Sequence, residues 1–231
     1  PYLQQLSQDC FSISRDDRNY RIDEQVVKII CRAKSILEQE RGLVVKDRIF
    51  LNGYSSSGVF AQRFALLHPD IVETACIGGA SGSIPIPTEK LAYPLGIADY
   101  ESLTGKRFDL ESYSKIKFRY YVGELETQNK SNSRFDDFGQ PAPMHDMSYF
   151  DRSVPTEVGK YQRSVLGTEM FSRAQKTIQI LQSLGIDVQH KIILGRGHNN
   201  RNGIGVNELA DKFVNDTYKS TIKSREINYG V

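Results

Sequence analysis

Apolar residues recur along this chain with two periods, and the switches between them mark out alternating helices and strands. From about Asp23, the positions Val26, Val27, Ile29, Ile30, Ala33, Ile36 and Leu37 form one helical stripe that Gly42 ends. Val44 to Asn52 reads as a strand, and the run from Ile49 to Ala65 as a buried strand, a sharp turn and a helix that finishes at His68-Pro69. A second strand covers Glu73 to Gly79 and carries Ala75, Cys76 and Ile77; a third, rich in aromatic and β-branched residues, covers Lys117 to Gly123. Tyr161, Val165, Met170, Ala174, Ile178, Leu181 and Leu184 recur at helical spacing as one long helix that Gly185 closes. Val188 to Leu194 is the last strand. An amphipathic helix from about Val206 through Leu209, Ala210 and Phe213 should pack on the sheet. This alternation predicts an α/β fold with a mostly parallel sheet and helices on both faces.

Two stretches break the pattern. Gly82 to Tyr113 is rich in proline, glycine and aromatic residues, and should form loops and short helices over the carboxyl ends of the strands, lining a pocket. Residues 129–155, with Phe135, Phe138, Met144, Met147, Tyr149 and Phe150, are an insertion too apolar for a linker; they read either as a tucked-in loop or as a lid.

The sharp turn carries the chemistry. In Gly53-Tyr54-Ser55-Ser56-Ser57-Gly58 a strand meets a helix, the setting in which a serine can be held with strained backbone and exposed hydroxyl above a helix N-terminus. The positions two before and two after such a serine are crowded. With Ser55 as nucleophile they are Gly53 and Ser57; with Ser56, the bulky Tyr54 would stand at the first; with Ser57, Ser55 and Val59 would flank it. Ser55 fits best, against the plain alternative of a polar turn. Tyr54, its neighbour, is expected to contact substrate.

This turn and the run to His68-Pro69 resemble the α/β-hydrolase superfamily, near bacterial esterases of the polyhydroxybutyrate-depolymerase-like group, in which a G-[FY]-S-x-[SG]-G turn leads into a helix ending at His-Pro. The resemblance extends over most of the chain and implies the order nucleophile, acid, histidine. The acid then belongs after the Lys117 to Gly123 strand, where a G-x-x-[DE] arrangement lands on Glu126, a departure from the commoner aspartate; Glu124 is the rival. The histidine belongs after the last strand. There Gly195-Arg196-Gly197-His198 supplies His198, whose flanking glycines give the loop the freedom to aim the ring. The Ser56 N–H, directly after the nucleophile, would be one oxyanion donor. In the family a second donor comes from a loop after an earlier strand, and residues 1–54 offer no candidate. The fifth strand of that fold leads into the elbow, so the resemblance also implies that the first strands of the sheet are missing from this sequence. The implied activity is cleavage of carboxylic esters through an acyl-enzyme. An amide or peptide hydrolase of the same fold, or a binding protein that kept the fold without turnover, remain the alternatives.

The other histidines have plainer readings: His68 caps a helix, His190 sits inside a strand, and His145 lies in an irregular segment. No set of side chains has metal-ligand spacing, and the chemistry needs neither metal nor cofactor. At 231 residues and 39% hydrophobic content the chain can form one α/β domain over residues 1–231. Thirty basic and 28 acidic residues leave a net charge of +2, no electrostatic footprint for nucleic acid or an anionic membrane; the partner that the resemblance implies is a small-molecule ester. Lys115, Lys117 and Arg119 read as a solvated strand face. Cys10, Cys31 and Cys76 cannot make a disulfide framework; Cys31 and Cys76, in apolar runs, read as buried thiols of a cytoplasmic protein. No transmembrane run is present in the sequence.

Overall fold

The computed structural model describes residues 5–124, 156–167, 170–195 and 212–221. Strands β1 (Ile49–Tyr54), β2 (Val72–Gly78), β3 (Lys117–Gly123) and β4 (Val188–Ile193) form a parallel sheet in the order β1-β2-β3-β4. Register runs straight across it: Tyr54 pairs with Gly78, Gly78 with Tyr121, and Tyr121 with Lys191. Side chains alternate between faces. On one face Ala75, Ile77, Phe118, Tyr120 and Val188 pack beneath helices α2 (Ser56–Leu67) and α6 (Met170–Ser183), which contribute Phe64, Ala65, Ala174, Ile178 and Leu181. On the other, Cys76, Tyr121 and Ile193 meet Phe213 and Val214 of a helix over residues 212–221. The architecture is α/β with helices on both faces of a parallel sheet. No helix among the described residues is long and apolar enough to cross a membrane.

Several boundaries differ from those expected, each for a local reason. Helix α1 spans Ile22–Arg41 and ends at Gly42, whose φ of +62° lets its N–H turn back to Glu38 and Leu37. Its buried stripe is narrower than the sequence pattern: Ile22, Val26, Val27 and Ile30 pack inward, whereas Ile29 and Leu37 are exposed. Cys31 shares that outer face and is exposed, not buried; Cys10 and Cys76 are buried, and all three thiols are free. Val44 is fully exposed and outside β1, because the polar Lys46-Asp47-Arg48 intervenes and pairing begins only where Ile49 N–H reaches Ile71 O at 2.7 Å.

The expected long helix is two. Gly167, at φ +98°, closes α5 (Thr156–Leu166) before α6 begins. Arg119 is no solvated side chain either: it is 11% exposed and grips both carboxylate oxygens of Asp187 at 2.8 Å, a bidentate pair.

The Gly82 to Tyr113 stretch forms the short helices α3 (Tyr100–Thr104) and α4 (Leu110–Ser114), but its second half does not stay over the carboxyl ends of the strands. It must descend to the amino end to start β3 in parallel. There Tyr100 Oη donates to Leu67 O at 2.8 Å and Arg48 Nη2 donates to Pro69 O and Ser112 O. Leu67, His68, Tyr100, Arg107 and Asp109 line a cavity of about 400 Å³ at this end, opposite the Ser55 turn.

Candidate active site

Strand β1 ends at Tyr54 and α2 begins at Ser56, so a single residue makes the turn. That residue is Ser55, with φ +56° and ψ −122°. Left-handed φ is uncommon for a residue with a Cβ, and strained backbone of this kind concentrates where function requires it. Ser56 and Ser57 are helical, so the strain falls on Ser55 alone of the three serines.

The surroundings hold the turn. Ser55 N–H donates to Gly78 O at 2.9 Å, tying the turn to the end of β2, and Val59 N–H donates to Ser55 O at 2.9 Å, closing the first helical turn. A Cβ on Gly53 would collide with the Ser57 carbonyl, which accounts for glycine two before Ser55. The crowding on the other side lies one residue later than the usual pattern places it. A Cβ on Gly58 would stand 2.8 Å from Gly78 O and 3.1 Å from the Ala80 methyl, whereas Ser57 faces solvent. Ser57 makes use of that freedom: its hydroxyl donates to Tyr54 O at 2.8 Å and accepts from Tyr54 N–H at 2.9 Å, bracing the turn with its own side chain.

Tyr54 is half-buried, its ring stacked on Tyr121 at 6.0 Å between centroids. Tyr121 lies flat over Gly78, where any side chain would strike the ring, and meets Phe213 edge-on at 5.7 Å. This aromatic row fastens β1, β3 and the 212–221 helix to one another just below Ser55. The row is visible in the sequence only once the register is known.

Glu126 and His198 lie outside the described residues, as do His145 and residues 129–155. Glu124 is described, and its Oε2 accepts Gly195 N–H at 2.8 Å. It thereby joins the ends of β3 and β4. His190, in β4, is half-buried, and burial pushes its imidazole below the ordinary range; its ring lies 6.4 Å from Phe171. His68 caps α2, with Nε2 2.9 Å from Asp23 Oδ2, at the end of the sheet remote from Ser55. Sequence reasoning reads this histidine as a cap and misses its partner, 45 residues earlier in the chain.

No protein-family model matches the chain, and a search of curated proteins gives no match. Among solved structures the chain is similar to poly(aspartic acid) hydrolase-1 from Sphingomonas sp. KT-1, with 17% identity and a TM-score of 0.47. The match covers 73% of this chain and 56% of that one, so this chain spans little more than half the length of that hydrolase.

Proposed function

We propose that this protein is a serine hydrolase of α/β-hydrolase type that cleaves carboxylic esters through an acyl-enzyme. The observation that carries the reading is the backbone of Ser55, a non-glycine residue at φ +56° forming the whole turn between a parallel strand and a helix. Ser55 Oγ attacks the ester carbonyl and expels the alcohol; water then cleaves the acyl-enzyme. His198 takes the serine proton and returns it to the leaving alcohol, and Glu126 accepts the other imidazole N–H and fixes its tautomer. The Ser56 N–H, first of α2 and without an intrahelical acceptor, points its dipole toward the developing oxyanion. Tyr54 borders the acyl or alcohol pocket.

The test is labelling by a fluorophosphonate followed by peptide mapping. The adduct should sit on Ser55, and Ser55→Ala should abolish it. An adduct on Ser56 or Ser57 would overturn the frame; complete inertness would overturn the hydrolase. Nitrophenyl esters of graded acyl length, run beside the matching anilides, decide between ester and amide.

A further inference from the structure

The cavity at the amino end of the sheet has no part in the chemistry proposed for Ser55. Three segments enclose it: the first turns of α1, the chain from the end of α2 into β2, and the turn between α3 and α4. Its apolar lining comes from Val27, Leu67, Pro69 and Ile71. Tyr100 adds a ring whose hydroxyl is already committed to Leu67 O. At about 400 Å³ the space is in the range of small-molecule sites.

The charges of the lining balance in number, three cations to three carboxylates, but not in commitment. Glu24 accepts from Arg21 Nη2 at 2.9 Å, and Asp109 Oδ1 accepts Ser112 N–H at 2.9 Å as the cap of α4. Asp70 is the acid left over. Lys28 on α1, and Lys106 and Arg107 in the turn before α4, make no ion pair among the described residues. His68 lines the same space: Asp23 engages its Nε2 at 2.9 Å, and Nδ1 has no hydrogen-bond partner among the described residues. Free cationic donors on two separate segments, above an apolar lining, call for an anion with an organic body. An arginine fork takes both oxygens of a carboxylate and leaves none for a cation on another segment, whereas a phosphate monoester offers three.

We infer that this cavity binds a small phosphate monoester, its oxygens held between Arg107 and Lys106 on one segment and Lys28 on the other, its organic group on the apolar lining. The inference stands apart from the hydrolase reading. Asp70 opposes any anion there, so its removal should strengthen binding.

Equilibrium dialysis with phenyl phosphate tests this. Phenyl phosphate should bind with a Kd of about 1 mM or tighter, and inorganic phosphate and benzoate each about tenfold more weakly, the first lacking the ring and the second the third oxygen. Arg107→Gln should weaken binding about tenfold or more, and Lys28→Gln about threefold. Both side chains are exposed and without ion pairs, so unchanged urea midpoints should accompany the loss. Asp70→Asn should tighten binding about threefold. Ser55→Ala should leave binding as it is, whatever fluorophosphonate labelling shows. No retention of phenyl phosphate up to about 10 mM would overturn the site. Binding that Arg107→Gln leaves unchanged, or that Ser55→Ala removes, would put the ligand elsewhere and overturn it too. Benzoate bound as tightly as phenyl phosphate would overturn the assignment to a phosphate monoester.

Discussion

A serine hydroxyl braces this turn two residues after Ser55, and the reason is direction. The Ser57 side chain leaves the helix toward solvent and turns back to both polar groups of Tyr54, so it adds two hydrogen bonds where a glycine would add freedom. Ser57→Ala should therefore lower stability by about 1 kcal/mol, the net worth of exposed hydrogen bonds, and slow fluorophosphonate labelling of Ser55 by loosening its backbone. Gly58→Ala acts differently. Its methyl meets Gly78 O at 2.8 Å and Ala80, neither of which can swing aside, so the cost is overpacking of about 1–3 kcal/mol. Urea midpoints of the two variants, with labelling rates measured below the transition, check both statements. If Gly58→Ala is the milder change, the crowding has been assigned to the wrong side of the turn.

Helix α1 is joined to α2 by a hydrogen bond at Asp23 as well as by its apolar stripe. Asp23, 1% exposed, accepts from Arg21 Nη2 at 2.8 Å and lies 2.9 Å from His68 Nε2, joining the start of one helix to the end of the other. Burial alone would raise its carboxyl, but the hydrogen bonds from His68 and Arg21 outweigh this and hold it well below the usual carboxylate range. A depressed folded-state value means that the carboxylate contributes stability above the unfolded value of about 3.9, and that the contribution is lost as pH falls through 4 and below. Asp23→Asn should cost about 2 kcal/mol at pH 7, because it removes the charged acceptor that Arg21 and His68 share in a largely buried site, while Glu24 at 2.9 Å still pairs with Arg21. It should also flatten the decline of stability between pH 5 and 3; urea midpoints at pH 7, 5 and 3 measure it. A parallel decline in both proteins would show that other carboxylates govern the acid limb. The same helix predicts thiol behaviour. Cys31 on its outer face should react at once with a disulfide reagent in the native protein, while Cys76, pushed by burial to about 12, should wait for unfolding. What the sequence could not disclose here is which face wins. Ile29 and Leu37 match the helical period, yet they point outward because a stripe four residues wide already fills the contact. Gly167, by contrast, stands inside the apolar spacing of Tyr161 to Leu184, and the structure breaks the helix at the glycine.

At the scale of the molecule, β2 and β3 were readable because strands buried along most of their length are rich in apolar, aromatic and β-branched residues, and β3 was predicted to the residue. The Ser55 turn was readable because its small residues answer to steric contacts within a few positions. What escaped depends on distant parts of the chain: the descent of residues 97–116 to the amino end of the sheet, the Tyr54-Tyr121-Phe213 row, and the Asp23 clamp. The last prediction belongs to the sheet as a whole. Among the described residues β1 is an edge, hydrogen-bonded to β2 alone. In a parallel pair alternate residues turn their N–H and C=O toward the neighbour. Ser55 N–H donates inward to Gly78 O, so counting back along the strand the N–H groups of Gly53 and Leu51 also face β2, while those of Asn52 and Phe50 face away. Tyr54 N–H is already taken by Ser57 Oγ. Hydrogen exchange on this chain should then show an alternating strand, with Leu51, Gly53 and Ser55 slow and Phe50 and Asn52 fast. An exposed edge strand in a soluble protein is a template for pairing, so the outcome also reports on association. Slow exchange at all five positions in dilute monomer would mean that another part of this chain pairs with β1 and the sheet is wider than four strands; slow exchange that appears only as concentration rises would place a second molecule there.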